Sequence, residues 1–172
     1  LCGTMSVGKT TLVNALKELD QFKGYNFATE RSQHLMSLGI PLNTDSTLKG
    51  QTVFLAERCG ELMHDNIITD RTILDVMAFT LNAKSIPHQD KEAFETYASE
   101  FIREYDYIFY ISPHGLEIED NGVRETDEHY RDLIDFTITT LIKRHGHKAG
   151  AIEKISGSTK ERIQQILNVT KL

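Results

Sequence analysis

The stretch Leu1-Cys2-Gly3-Thr4-Met5-Ser6-Val7-Gly8-Lys9-Thr10 opens the chain, and its reading decides the fold. Its spacing, G-x-x-x-x-G-K-T, is that of a glycine-rich loop that leaves a strand, wraps a phosphate and runs into a helix. Gly3 and Gly8 place no Cβ against the anion, so the amides of Thr4, Met5, Ser6 and Val7 and the start of the following helix can point at it. Lys9 is suited to the β and γ phosphates, the Thr10 hydroxyl to Mg²⁺, and Thr11 completes the loop set. The residues that follow carry apolar side chains at 12, 13, 15, 16 and 19, the spacing of an amphipathic helix. An accidental glycine-rich turn would need two glycines, a lysine and a threonine to coincide at a helix start. The expectation is a nucleoside triphosphate, ATP, bound with Mg²⁺. Leu1 reads as the tail of the strand that feeds the loop, so a few strand residues are expected upstream of it.

Strands and helices alternate outward from this loop. Tyr25 to Thr29 reads as a second strand, followed by a helix that runs to Leu38 and is broken by Gly39-Ile40-Pro41. Apolar residues at 48, 53, 54, 55, 59, 62 and 63 predict a helix over Leu48 to His64. Asn66-Ile67-Ile68-Thr69 is a third strand ending at Asp70, and Thr72 to Leu81 and Lys91 to Tyr105 are helices separated near Pro87. Tyr107 to Ile111 is a β-prone run stopped by Ser112-Pro113. A polar loop then leads to a long helix over Glu125 to Arg144, a last strand at Ala151 to Ile155 and a helix over Thr159 to Val169. The pattern predicts an α/β three-layer fold over residues 1–172, a single domain with a five-stranded parallel sheet, helices on both faces and a small helical lid at about 113–131.

Composition narrows the function. A chain of 172 residues is one domain by length. With 25 acidic against 19 basic residues the formal charge is −6, which provides no broad cationic surface for a nucleic-acid backbone and favours a small substrate. There are two cysteines, Cys2 and Cys59, and no run of about eighteen apolar residues, so a soluble protein of a reducing cytoplasm with no membrane partner is expected. Both cysteines read as small core residues. The histidines at 34, 64, 88, 114, 129, 145 and 147 form no zinc-ligand spacing with a cysteine pair.

In a parallel sheet of this kind, ligands gather beyond the carboxyl ends of the strands. The second strand ends in Glu30-Arg31, the third in Asp70-Arg71, and the last in Ser156-Gly157-Ser158, with Gly122-Val123-Arg124 and Arg131 around the polar loop. With the loop Gly3 to Thr10, this set resembles the P-loop nucleoside and nucleotide kinases over nearly the whole chain. Within them it is most similar to the AAA-type family that includes the kinase domain acting on nicotinamide riboside, with many phage members.

The resemblance implies transfer of the ATP γ-phosphate to a nucleoside or nucleoside monophosphate. Such transfer needs positioning, a metal and extra cations more than covalent chemistry. It implies that Lys9, Arg124 and Arg131 stabilise the transferred phosphate, the two arginines sharing a helix face if that helix begins early enough; an exposed charged face is the plain alternative. Asp70 is expected at Mg²⁺ with Thr10, and Glu30 as the base that takes the acceptor's proton, with Asp70 the alternative base. Arg71 is expected at an acceptor or donor phosphate, with a structural pair to Asp75 as the plain alternative, and Arg31 at the acceptor, where Gln51, Phe54 and Arg58 fall on one face of the third helix; a single aromatic at helical spacing such as Phe54 is more often a core residue. Gly157 and Ser158 are expected near the adenine. Two other readings stand beside this one. One is a kinase for a DNA hydroxyl, on a modified base such as 5-hydroxymethyluracil or at a 5′ end, against which the acidic balance counts. The other is a P-loop ATPase or switch, against which the chain has no N-K-x-D motif and no second acidic residue after Asp70. An oligomer is compatible with either.

Overall fold

The computed structural model of the chain describes residues 1–29, 32–116 and 127–172. Its strands are short and parallel. β1 (Asn26–Ala28) pairs with β2 (Ile67–Thr69), Phe27 opposite Ile68, and β3 (Tyr107–Ile111) pairs with β4 (Ala151–Ile155), Phe109 opposite Glu153. Leu1 and Cys2 lie between the two pairs. The Cys2 amide donates to the Phe109 carbonyl and the Ile111 amide donates to the Cys2 carbonyl, both at 2.9 Å, while the Leu1 nitrogen donates to the Thr69 carbonyl at 2.7 Å. The described strands thus form two parallel pairs joined through Leu1 and Cys2.

The helices are α1 (Lys9–Lys17), α2 (Ser32–Ser37), α3 (Leu48–Glu61), α4 (Ile73–Asn82), α5 (His88–Ala98), α6 (Glu128–His145) and α7 (Thr159–Thr170). Strand period two explains the layers, and β3 shows it most clearly. Its Ile108 and Tyr110 enter one core with Ile73, Met77, Ile134 and Ile138, whereas Phe109 and Ile111 enter a second with Leu12, Leu16, Ile155 and Ile166. Each such buried Leu or Ile contributes about 1.5–3 kcal/mol relative to exposure. The first core is built around α4, which is buried from Ile73 to Thr80 and packs on α3, α5 and α6; the second includes α1 packed on α7. Helices on both faces of parallel strands give the α/β architecture.

Several boundaries moved, among them the end of α3, at Glu61 where His64 was expected. α5 begins at once after Pro87, which as N-cap needs no amide partner, and ends at Ala98; the rest of the expected helix is a 3₁₀ turn over Ser99–Glu104. The Ser99 hydroxyl donates back to the Thr96 carbonyl at 3.0 Å, the kind of local bond that competes with a continuing helix. α6 begins at Glu128 behind Asp127, whose carboxylate accepts from the His129 amide at 2.9 Å. The first expected helix residues, 125 and 126, and most of the expected lid, 117–126, lie outside the described residues. Cys2 is fully buried, and Cys59 packs at the edge of the first core. Among the described residues no helix is long and apolar enough to cross a membrane.

Candidate active site

Leu1 and Cys2 deliver the glycine-rich loop to the carboxyl ends of β2 and β3. Gly3 has φ +151°, and a Cβ there would stand 2.6 Å from the Ile111 carbonyl oxygen, so the loop can leave the sheet this closely only as glycine. Ser6 (φ +57°) and Gly8 (φ +80°) are left-handed, the backbone geometry by which a loop turns amides into one concavity. Lys9 begins α1 and is buried; its ammonium donates to the Gly3 and Thr4 carbonyls at 2.6 and 2.7 Å. Burial, and then the nearby Arg71 charge, hold its pKa below the usual lysine value, against Asp75 and Asp70. A desolvated ammonium among carbonyls and amides is poised to receive an anion.

The next residue meets the end of β2. The Thr10 hydroxyl donates to the Asp70 carboxylate, and Asp70 is held by its own amide, which donates to the Ala28 carbonyl at 2.9 Å. Arg71 follows with φ +125°, a strained backbone for a residue with a side chain, and the Thr69 hydroxyl fixes it by donating to the Arg71 carbonyl at 2.8 Å. The Arg71 guanidinium lies 5.0 Å from the centroid of the Phe79 ring, a cation–π contact.

Two residues that support the loop were not among the expected site residues. Asp75 is fully buried: one carboxylate oxygen accepts from the Thr72 amide and hydroxyl at 2.8 and 2.7 Å, and the other accepts from the Gly3 amide at 3.1 Å. The T-x-x-D spacing of a capping box was its signal. Arg162, on α7, donates from Nη1 to the Val7 carbonyl at 2.6 Å. Its signal was an arginine four residues before Ile166, inside the apolar stripe of that helix.

Arg131 reaches the same neighbourhood through its backbone, its carbonyl accepting from the Thr4 hydroxyl at 3.3 Å, while its side chain donates to the Leu116 carbonyl at 2.7 Å. Met5 and Val7 turn into the two cores and Thr11 is exposed. Gly157 (φ +89°) and Ser158 form the start of α7, where the Ser158 hydroxyl accepts from the Glu161 amide at 3.3 Å and the Glu161 carboxylate accepts from the Ser158 amide at 2.7 Å. On α3, Gln51 and Arg58 are buried, Arg58 pairs with Glu61 at 2.6 Å, and Phe54 packs against the first core. Glu30, Arg31 and Arg124 lie outside the described residues.

The structure thus brings together Lys9, Thr10, Asp70, Arg71 and Asp75 around one loop. Touching hydroxyl and carboxylate oxygens beside an amide cradle fit Mg²⁺, a hard cation that takes few protein oxygens and completes its shell with phosphate and water. Fold and loop together define a mononucleotide-binding α/β protein. The model of the AAA domain family matches residues 1–162, and the chain belongs to that family. No curated protein matches it. Among solved structures it is similar to deoxyadenosine kinase from M. mycoides with the products dCMP and a flexible dCDP bound, with TM-score 0.67 and 19% identity over 98% of this chain and 96% of that one. It is also similar to that kinase with bound dCTP, with TM-score 0.66 and 20% identity over 99% and 96%. At this identity the likeness establishes the fold.

Proposed function

We propose that the protein is an ATP-dependent kinase that transfers the γ-phosphoryl group to a hydroxyl of a nucleoside or nucleoside monophosphate. The observation that carries this reading is the meeting of the Thr10 hydroxyl with the Asp70 carboxylate beside the buried Lys9. The acceptor class is supported by the fold, which aligns over its length with a deoxyadenosine kinase holding deoxycytidine nucleotides. In the reaction the acceptor oxygen bonds to the γ-phosphorus as the bond to the bridging oxygen breaks and ADP leaves. Lys9, Arg71, Arg131 and Arg124 offset the charge on the transferred group. Thr10 and Asp70 would hold Mg²⁺, which would supply charge neutralisation at the phosphate oxygens. Glu30, placed after the second strand as in the kinases the chain resembles, takes the acceptor's proton, with Asp70, which accepts from Thr10, as the alternative base. Arg31, Gln51, Phe54 and Arg58 border the acceptor side, and Gly157 and Ser158 the adenine side.

The test is label transfer from γ-labelled ATP with Mg²⁺ across deoxynucleosides, ribonucleosides, their monophosphates, and DNA carrying a 5′ hydroxyl or hydroxymethyluracil. Label is expected in a small acceptor and is abolished by Lys9→Ala. Label confined to DNA, or ATP hydrolysis with no labelled acceptor, would overturn the proposal.

A further inference from the structure

Arg162 is 7% exposed, yet among the described residues it faces no carboxylate at ion-pair distance, and its Nε has no hydrogen-bond partner. The guanidinium instead reaches the loop, donating from Nη1 to the Val7 carbonyl across 155 residues of chain. The same Nη1 would stand 3.3 Å from a Cβ at Gly8, so the guanidinium lies against the Val7–Gly8 peptide. A trans peptide is planar, with its carbonyl and the following amide pointing in opposite directions. Holding the Val7 carbonyl towards α7 therefore turns the Gly8 amide to the other side. The origin of the side chain is fixed as well, because the Ser158 and Glu161 capping box locks the first turn of α7 immediately before it. Burial pulls the guanidinium pKa down. A buried cation without an anionic partner is costly unless a counter-charge arrives.

We propose that Arg162 is a positioning residue for the donor triphosphate, holding the Val7–Gly8 peptide with its amide towards the phosphates and placing behind the loop a positive charge that no carboxylate among the described residues meets. This rests on the loop being the ATP site. Two variants separate the role from packing: Arg162→Met keeps the stem, and Arg162→Lys restores the charge and one donor. The measurements are equilibrium binding of Mg·ATP, KM for ATP and for the acceptor, and the ligand-free thermal midpoint. Arg162→Met should weaken ATP binding by about tenfold to a hundredfold, the size of a buried charge-assisted hydrogen bond, with the acceptor KM within about twofold. Arg162→Lys should recover most of the lost affinity. Wild-type ATP affinity in Arg162→Met would overturn the proposal, as would a loss that follows the thermal midpoint and is not rescued by lysine. If the unaltered protein fails to bind ATP, the donor assignment falls instead.

Discussion

Asp75 shows how much one buried carboxylate can organise. It caps α4 through Thr72 and, with its other oxygen, holds the Gly3 amide at the root of the loop, so the phosphate cradle and the Asp70-Arg71 turn share one anchor. Asp75→Ala would leave buried amides at Gly3 and Thr72 without their acceptor. At about 1.5–3 kcal/mol for each bond to a charged group, a loss of about 3 kcal/mol or more is expected in urea unfolding. Asp75→Asn should fall between, because one amide oxygen can still accept while its NH₂ meets the donors of Thr72. Unchanged unfolding midpoints in Asp75→Ala would contradict this. The capping half of the role was legible from Thr72-Ile73-Leu74-Asp75. The bond to Gly3 was not, since it joins residues 72 apart that only the crossing of β2 past Leu1 brings together.

At the scale of elements, the C-terminus of α6 is tied to α5 by Glu95, which accepts from Arg144 and meets His145 at 2.8 Å. Burial alone would raise the Glu95 pKa, but the hydrogen bonds from His145 and Arg144 outweigh it and hold the carboxyl below its usual value. A depressed carboxylate adds stability above the ordinary pKa of a glutamic acid and loses it as pH falls through the lower folded value. Glu95→Gln should therefore cost about 1 kcal/mol near pH 7, and its gap from the unaltered protein should close below about pH 4 in denaturant titrations. A gap independent of pH would refute the assignment. Two capped helices were readable in the sequence: α4 behind Thr72 and α7 behind Ser158 begin where their side chains say. The end of α5 was not readable, because Ser99 is an unremarkable helix residue until its hydroxyl turns back on Thr96. The polar stretch after Pro113 carries little periodicity, which is why the lid rested on resemblance alone.

For the whole molecule, the loop motif and the alternation of strands and helices made the α/β class legible, and the strand-end charges pointed to Asp70 and Arg71. What escaped were the loop's supports, Asp75 and Arg162, whose partners lie far along the chain. The near-complete enclosure of α4 by α3, α5 and α6 has a kinetic consequence. Amide hydrogens from Val76 to Thr80 can reach solvent only when both faces of the first core open, so their exchange with deuterated water should report global unfolding rather than fraying. A ligand bound only by the folded chain raises that barrier, and at a hundred times its dissociation constant should slow exchange in α4 by about a hundredfold. The helix furthest from solvent thus becomes a label-free clock for ranking donors and acceptors, read by mass spectrometry on a protein whose turnover need not be known.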